Sequence, residues 1–199
     1  MQLEANVVTW LDENLPDGAV DPFDLEETYS GLDQDFVPTP TLIQQQLGRN
    51  WTPPFFKWRL TFAHADGREI VDPPLQRKVY GDLPLYGGGR GVVVENDAFH
   101  IQEPFQGKGF ARAVCGSEEA LFNRWGVREI HLTAIEAGRV VWLKKFGFVP
   151  VYTSLLAEEY EAWHADHPAL GPEPPLTPAE YPVPFLYSLE RIMLWKELP

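Results

Sequence analysis

Residues 55–64 alternate. Phe56, Trp58, Leu60 and Phe62 fall on one side, and Lys57, Arg59 and Thr61 on the other, which predicts a half-buried strand. Asp66-Gly67 follows as a hairpin turn, with a returning run over 68–71. Short apolar runs at 91–94 and 98–101 predict two further strands, separated by a turn at Asn96-Asp97. From Ala111 to Trp125 the period changes: Ala111, Val114, Cys115, Leu121, Phe122 and Trp125 lie close to i, i+3, i+4 spacing, as on an amphipathic helix. A strand over 128–134, a short helix over 137–146 and a strand over 148–153 complete a central region of alternating types.

The flanks read differently. Residues 5–15 predict a helix with Val8, Leu11 and Leu15 on one face, ended by Pro16. A second helix is predicted over 21–32, with Pro22 in its first turn, and a third over 41–47, stopped by Gly48. The proline- and glycine-rich stretch 72–90 reads as a long loop. At the other end, 154–167 is helical by pattern and 168–184 is extended over the surface. Residues 185–198 predict a final helix whose face of Phe185, Leu189, Ile192 and Met193 packs on its own core or on a dimer partner.

At 199 residues the expectation is one domain over 1–199: a helical segment over 1–50, a sheet core over 55–153 and a helical extension over 154–199. The net charge of −13 excludes a nucleic-acid backbone as partner and suits a cationic acceptor such as an amine. Cys115 is the single cysteine, so no intramolecular disulfide forms, in keeping with a reducing compartment. No run approaches about 18 apolar residues, and residues 1–4 carry no basic leader region, so the expectation is a cytoplasmic protein with no membrane partner.

The candidate chemistry centres on Pro104-Phe105-Gln106-Gly107-Lys108-Gly109-Phe110-Ala111. A strand feeding a glycine-rich turn feeding a helix is an anion-binding device. The first N–H groups of the helix lack intrahelical partners, and its dipole favours negative charge there. Gly107 and Gly109 let a phosphate approach the backbone, and Lys108 adds positive charge. A P-loop would require Ser or Thr after the lysine, where Gly109 stands, and a dinucleotide fingerprint would require glycine where Arg112 stands. The pattern that fits is Gln/Arg-x-x-Gly-x-Gly/Ala, met by Gln106, Gly109 and Ala111. Downstream, 125–134 resembles the helix end and fifth strand of the GNAT superfamily of N-acyltransferases, whose pyrophosphate loop has this pattern. Lys144-Lys145-Phe146-Gly147-Phe148 resembles the same family's helix-to-strand ending, so the likeness covers residues 92–151.

The resemblance implies an α/β fold: a mixed, mostly antiparallel central sheet with helices on both faces and two parallel strands splayed at the cosubstrate site. It implies acetyl-CoA as cosubstrate, with its pyrophosphate on Gln106, Gly107, Lys108, Gly109, Phe110 and Ala111. The backbone of His100 and Ile101 would align the pantetheine. The base it implies is Glu95, since some members carry a glutamate eleven positions before the loop's Gln/Arg; read from the residues alone, Glu95 is equally a solvated turn residue. Glu136 is the second candidate carboxylate. The family's tyrosine before the x-Lys-x-Gly-Phe run is Leu143 here, which cannot protonate a thiolate, and Tyr152 belongs to a different element. His100 and His131 fall within strands, where histidines are usually packed rather than catalytic. Glu161, His164 and His167 share a helix face but read as a polar helix end, and no metal is expected. Two functions follow. One is an N-acetyltransferase acting on an amine of a small molecule or peptide. The other is a catalytically weak or inactive GNAT-like module that binds CoA or a protein partner. A homodimer is compatible with both.

Overall fold

The computed structural model describes residues 1–16, 18, 20–32, 38–135 and 138–199. Two compact units emerge, Met1–Ile130 with Glu197–Pro199, and His131–Lys196. The boundary falls inside one strand, β5 (Val127–Ile135). The fold is α/β around a mixed, mostly antiparallel seven-stranded sheet of order β1-β2-β3-β4-β5-β7-β6, with β4 and β5 parallel.

In the first unit, β1 (Thr39–Leu47), β2 (Phe55–Ala63), β3 (Leu75–Pro84) and β4 (Arg90–Ala98) form antiparallel pairs. The alternation in β2 is realised: Phe56, Trp58, Leu60 and Phe62 are fully buried, while Lys57, Arg59 and Thr61 are half-buried. Two helices cover that apolar face, α2 (Asp24–Ser30) and α3 (Phe110–Arg124). Tyr29 of α2 meets Phe62 edge-on at 5.9 Å. Phe110 of α3 meets Phe62 at 5.1 Å, and Phe122 and Trp125 meet Trp58 at 6.5 and 6.0 Å. Such edge-to-face pairs add about 0.5–1.5 kcal/mol beyond burial. The helix α1 (Ala5–Asn14) buries Val7, Trp10 and Leu11, and Leu15 after it is buried too; of the expected face, Leu11 and Leu15 turn inward, and Val7 takes the place expected for Val8.

Four expectations are overturned. Residues 41–47 are not a helix but part of edge strand β1. Its glutamines suit a helix intrinsically, yet pairing with β2 overrides propensity, and Pro40 is tolerated because the outer edge needs no N–H. Residues 72–90 are not a long loop: β3 fills most of the stretch, and only 85–89 turn. The prolines at 73 and 74 precede the strand, where they cost no ladder bond. Asn96-Asp97 is not a turn between two strands but part of the continuous β4. There Asp97 is an extra residue, because Arg77 pairs with Asn96 and Gln76 with Ala98. The hairpin at Gly67 (φ +84°) forms as expected, its return held by Ile70 N–H donating to the Phe62 carbonyl at 2.7 Å.

In the second unit, β5 continues into α4 (Gly138–Lys145), β6 (Val149–Pro150), α5 (Thr153–Asp166), α6 (Val183–Ser188) and β7 (Arg191–Glu197). The fourth overturned expectation is the final helix over 185–198. Of that range only 185–188, about one turn, is helical. Ile192 and Leu194 are buried while Met193 between them is 43% exposed, which is strand period two. A satellite core gathers Tyr160, Tyr181 and Phe185, with ring centroids 5.0–5.3 Å apart.

Candidate active site

The strand β4 carries Glu95 on the sheet face opposite Trp58. Its register partner is Lys78 of β3. The Lys78 ammonium reaches Glu95 Oε2 at 3.3 Å and Asp97 Oδ2 at 2.9 Å. The Tyr80 hydroxyl donates to the same Glu95 oxygen at 2.9 Å. Gln76 Nε2 donates to Asp97. Gln76, Lys78 and Tyr80 alternate on one face of β3, so a single strand presents three donors to two carboxylates on its neighbour. Burial, then the charge of Glu95, raises the Tyr80 phenol well above its ordinary range. Burial works against the Lys78 ammonium, but its bond to Asp97 and the charge of Glu95 more than offset this, and its pKa is raised. Glu95 is therefore no turn residue. It is a half-buried carboxylate fixed by a phenol and an ammonium.

Past Ala98 the chain leaves the β3 ladder and pairs with 70–72. Asp72 N–H donates to the His100 carbonyl at 3.1 Å, and Gln102 N–H to the Ile70 carbonyl at 2.9 Å. These bonds flank the Ile101–Val71 bridge, so the peptide groups of Ile101 point away from Val71. The Ile101 carbonyl is taken by Gln106 Nε2 at 2.8 Å. The Gln106 side chain thus ties the loop to the strand end. A 3-10 turn, Glu103–Phe105, precedes it and buries Phe105. Arg68 lies over the Phe105 ring at 5.3 Å and Lys108 at 5.7 Å, so two cations flank the loop's anchor.

Gly107 (φ +74°) and Gly109 (φ +86°) both adopt the left-handed backbone that other residues resist. A Cβ at Gly107 would meet nothing within 4 Å, so this glycine serves conformation and open approach rather than packing. Gly109 is the N-cap of α3, and its carbonyl accepts from Ala113 N–H at 3.1 Å. The N–H groups of Phe110, Ala111 and Arg112 consequently precede the first intrahelical bond and lie at the positive end of the helix dipole. Phe110 itself is buried, so it contributes backbone and core packing.

The remaining candidates fall elsewhere. Glu136 lies outside the described residues. In the second unit, Leu143 is buried within α4 and Tyr152 is 57% exposed. His131 is half-buried on β5. His164 Nε2 contacts the Gly171 carbonyl at 3.2 Å, and His167 Nδ1 the Trp163 carbonyl at 2.9 Å. No group of three His, Cys, Asp or Glu able to hold a metal occurs among the described residues. No described helix is long and apolar enough to cross a membrane.

Lys78 and Tyr80 escaped the sequence reading, because they sat in the stretch read as loop. The period-two sequence Leu75, Arg77, Val79 against Gln76, Lys78, Tyr80 was the available signal. It was obscured by a charged residue, Arg77, on the inward side.

A strand, a left-handed glycine turn, a helix and a parallel strand thus follow one another as the loop pattern implied. This is the sheet topology that the resemblance implied. No family model matches the chain, and no curated protein does. Solved structures similar to it include nourseothricin acetyltransferase, at 11% identity and a TM-score of 0.39, covering 90% of this chain and 96% of that one. Another is the GNAT domain of S. lividans PAT, at 12% identity and a TM-score of 0.37, covering 100% and 89%. A third is spermidine N-acetyltransferase from Vibrio cholerae in complex with CoA and spermine, at 13% and 0.31, covering 100% and 94%. Likenesses this remote decide neither activity nor acceptor.

Proposed function

We propose that the protein is an N-acetyltransferase that moves an acetyl group from acetyl-CoA to an amine. The observation that carries this reading is the loop from Gln106 to Ala111, with two left-handed glycines and a helix start whose N–H groups face no intrahelical acceptor. That backbone fits a pyrophosphate: open space at Gly107, no acidic residue within 106–112, and Lys108 exposed beside it. Acetyl-CoA would supply the activated acyl thioester. The Ile101 peptide, on the outer edge of the strand end, would align the pantetheine. Glu95 would accept the proton of the attacking ammonium, directly or through a water, with Tyr80 and Lys78 holding its carboxylate in place. As the amine nitrogen bonds to the acyl carbon, the carbon–sulfur bond breaks and the thiolate leaves. Leu143 offers it no proton, so protonation falls to solvent or to another hydroxyl. The chain's charge of −13 favours a cationic acceptor in a cytoplasmic setting.

The test is calorimetry with CoA. Gly109→Asp places a carboxylate and a strained φ where the phosphates sit. Binding is expected in the wild type and lost in a folded Gly109→Asp protein, and equal affinity in the two would refute the reading. Leu143 favours the second function, a CoA-binding module without turnover. Binding without thiol release for any amine selects it.

A further inference from the structure

On the inward side of β3, one residue from Lys78, stands Arg77. Its side chain is wholly buried, as is that of Glu118 on α3. The two form a two-pronged pair: Arg77 Nε to Glu118 Oε1 and a terminal guanidinium nitrogen to Oε2, both at 3.0 Å. Tyr29 donates to Glu118 Oε1 at 2.7 Å, and Trp58 Nε1 donates to the Tyr29 hydroxyl at 3.3 Å. The other guanidinium nitrogen donates to two carbonyls at 3.0 Å, Gln76 and Ala98. The guanidinium also lies 5.3 Å from the Phe99 ring.

Ala98 is where β4 ends, directly after the extra residue Asp97 and two residues before His100. An extra residue loosens a ladder locally. Here the loosened end is the one that must present Ile101 at a fixed distance from the start of α3. Arg77 has one prong on that end and the other on α3. A buried ion pair in itself contributes little net stability over apolar residues of like volume. A planar fork that spans a helix carboxylate and a strand carbonyl does something apolar residues cannot.

We propose that Arg77, held by Glu118, is a positioning residue of the acetyl-transfer site. It fixes the bulged end of β4 against α3, so that the strand end and the pyrophosphate loop stay in register. This rests on the function proposed above, and the experiment separates the two. Arg77→Met/Glu118→Met removes both charges together and keeps volume, the kind of replacement that buried ion pairs often tolerate. Arg77→Lys keeps a charge for Glu118 but cannot span to the Ala98 carbonyl. The pyrophosphate loop is bonded within itself and to Ile101, so CoA affinity is expected to stay within about threefold while kcat falls by about 10²-fold, the cost of a small misalignment. Amide exchange at Asp72 and Gln102, whose bonds hold the strand end, is expected to accelerate in both variants. Folded variants with wild-type kcat and unchanged exchange would overturn the proposal. A wild type that neither binds CoA nor turns over refutes the function instead, and the exchange at Asp72 and Gln102 then decides the tether by itself. If neither variant folds, native-state exchange on the wild type decides: those two amides open only with the whole unit if tethered, and a separate, earlier opening of 98–102 overturns the proposal.

Discussion

Arg77 and Lys78 are neighbours on one strand, and each meets a glutamate, yet the two pairs do different work. Arg77–Glu118 is sealed between sheet and helix, with side-chain exposures of 0% and 2%. Lys78–Glu95 lies on the opposite face, at 21% and 38%. The pleat separates them: successive side chains point to opposite faces, so one residue's difference in position exchanges the dielectric around a charge. In the sealed pair the polar atoms depend on protein partners: Tyr29 donates to Glu118, the Gln76 and Ala98 carbonyls accept from Arg77, and Trp58 in turn holds the Tyr29 hydroxyl. In the open pair water screens the charges, and a carboxylate remains reachable by an acceptor. Burial thus suits the first pair to holding geometry and leaves the second within reach of solvent.

Glu118→Gln probes the sealed pair and carries the largest expected effect. It leaves the Arg77 charge buried without its counter-ion, and urea unfolding should show a loss of about 3–5 kcal/mol. The matching change on the open face, Glu95→Gln, should alter stability by less than about 1 kcal/mol, since screened pairs contribute little. If the two losses are equal, the contrast between the faces fails.

Glu95→Gln is expected instead to lower kcat at neutral pH by about 10²–10⁴-fold, with CoA affinity unchanged. Part of that loss returns at high pH, where free amine is present without a base. Turnover equal to wild type would strip Glu95 of its role and make Glu136 the next carboxylate to remove.

The alkaline limb of stability sharpens the contrast further. Burial, then the charge of Glu118, raises the Tyr29 phenol well above its ordinary range. A phenol whose folded pKa exceeds its unfolded value of about 10 contributes stability below that pH and loses it as pH rises above it, because only the unfolded chain then releases the proton. Stability should therefore fall from about pH 10 upward, and Tyr29→Phe should flatten that limb. An unchanged limb would show that the surroundings of Tyr29 do not raise its phenol.

The smallest effect is kinetic. Tyr80→Phe removes one of two donors from Glu95 and leaves Lys78 in place, so kcat should change by about tenfold or less. A loss as large as that of Glu95→Gln would make the phenol a participant rather than a support.

Local patterns determined the elements whose cause is local. The burial of β2 follows from period-two alternation, α3 from its 3.6 period, and the turn conformations at Gly67, Gly107 and Gly109 from the residues that tolerate positive φ. The loop that carries the proposed function was legible for the same reason: its chemistry lies in consecutive residues. What the tertiary structure decided is non-local. Residues 41–47 became a strand because β2 offered an edge, and 192–197 because a neighbouring strand outweighed a helical period. Glu95 could not be told from a turn residue until β3 stood beside it with Lys78 and Tyr80, seventeen and fifteen positions away in the chain. Glu118 reads as one more polar helix residue until Arg77, 41 positions away, meets it in the core. A charge's environment is set by what lies across the sheet, and strand pairing, not the adjacent sequence, chooses that neighbour.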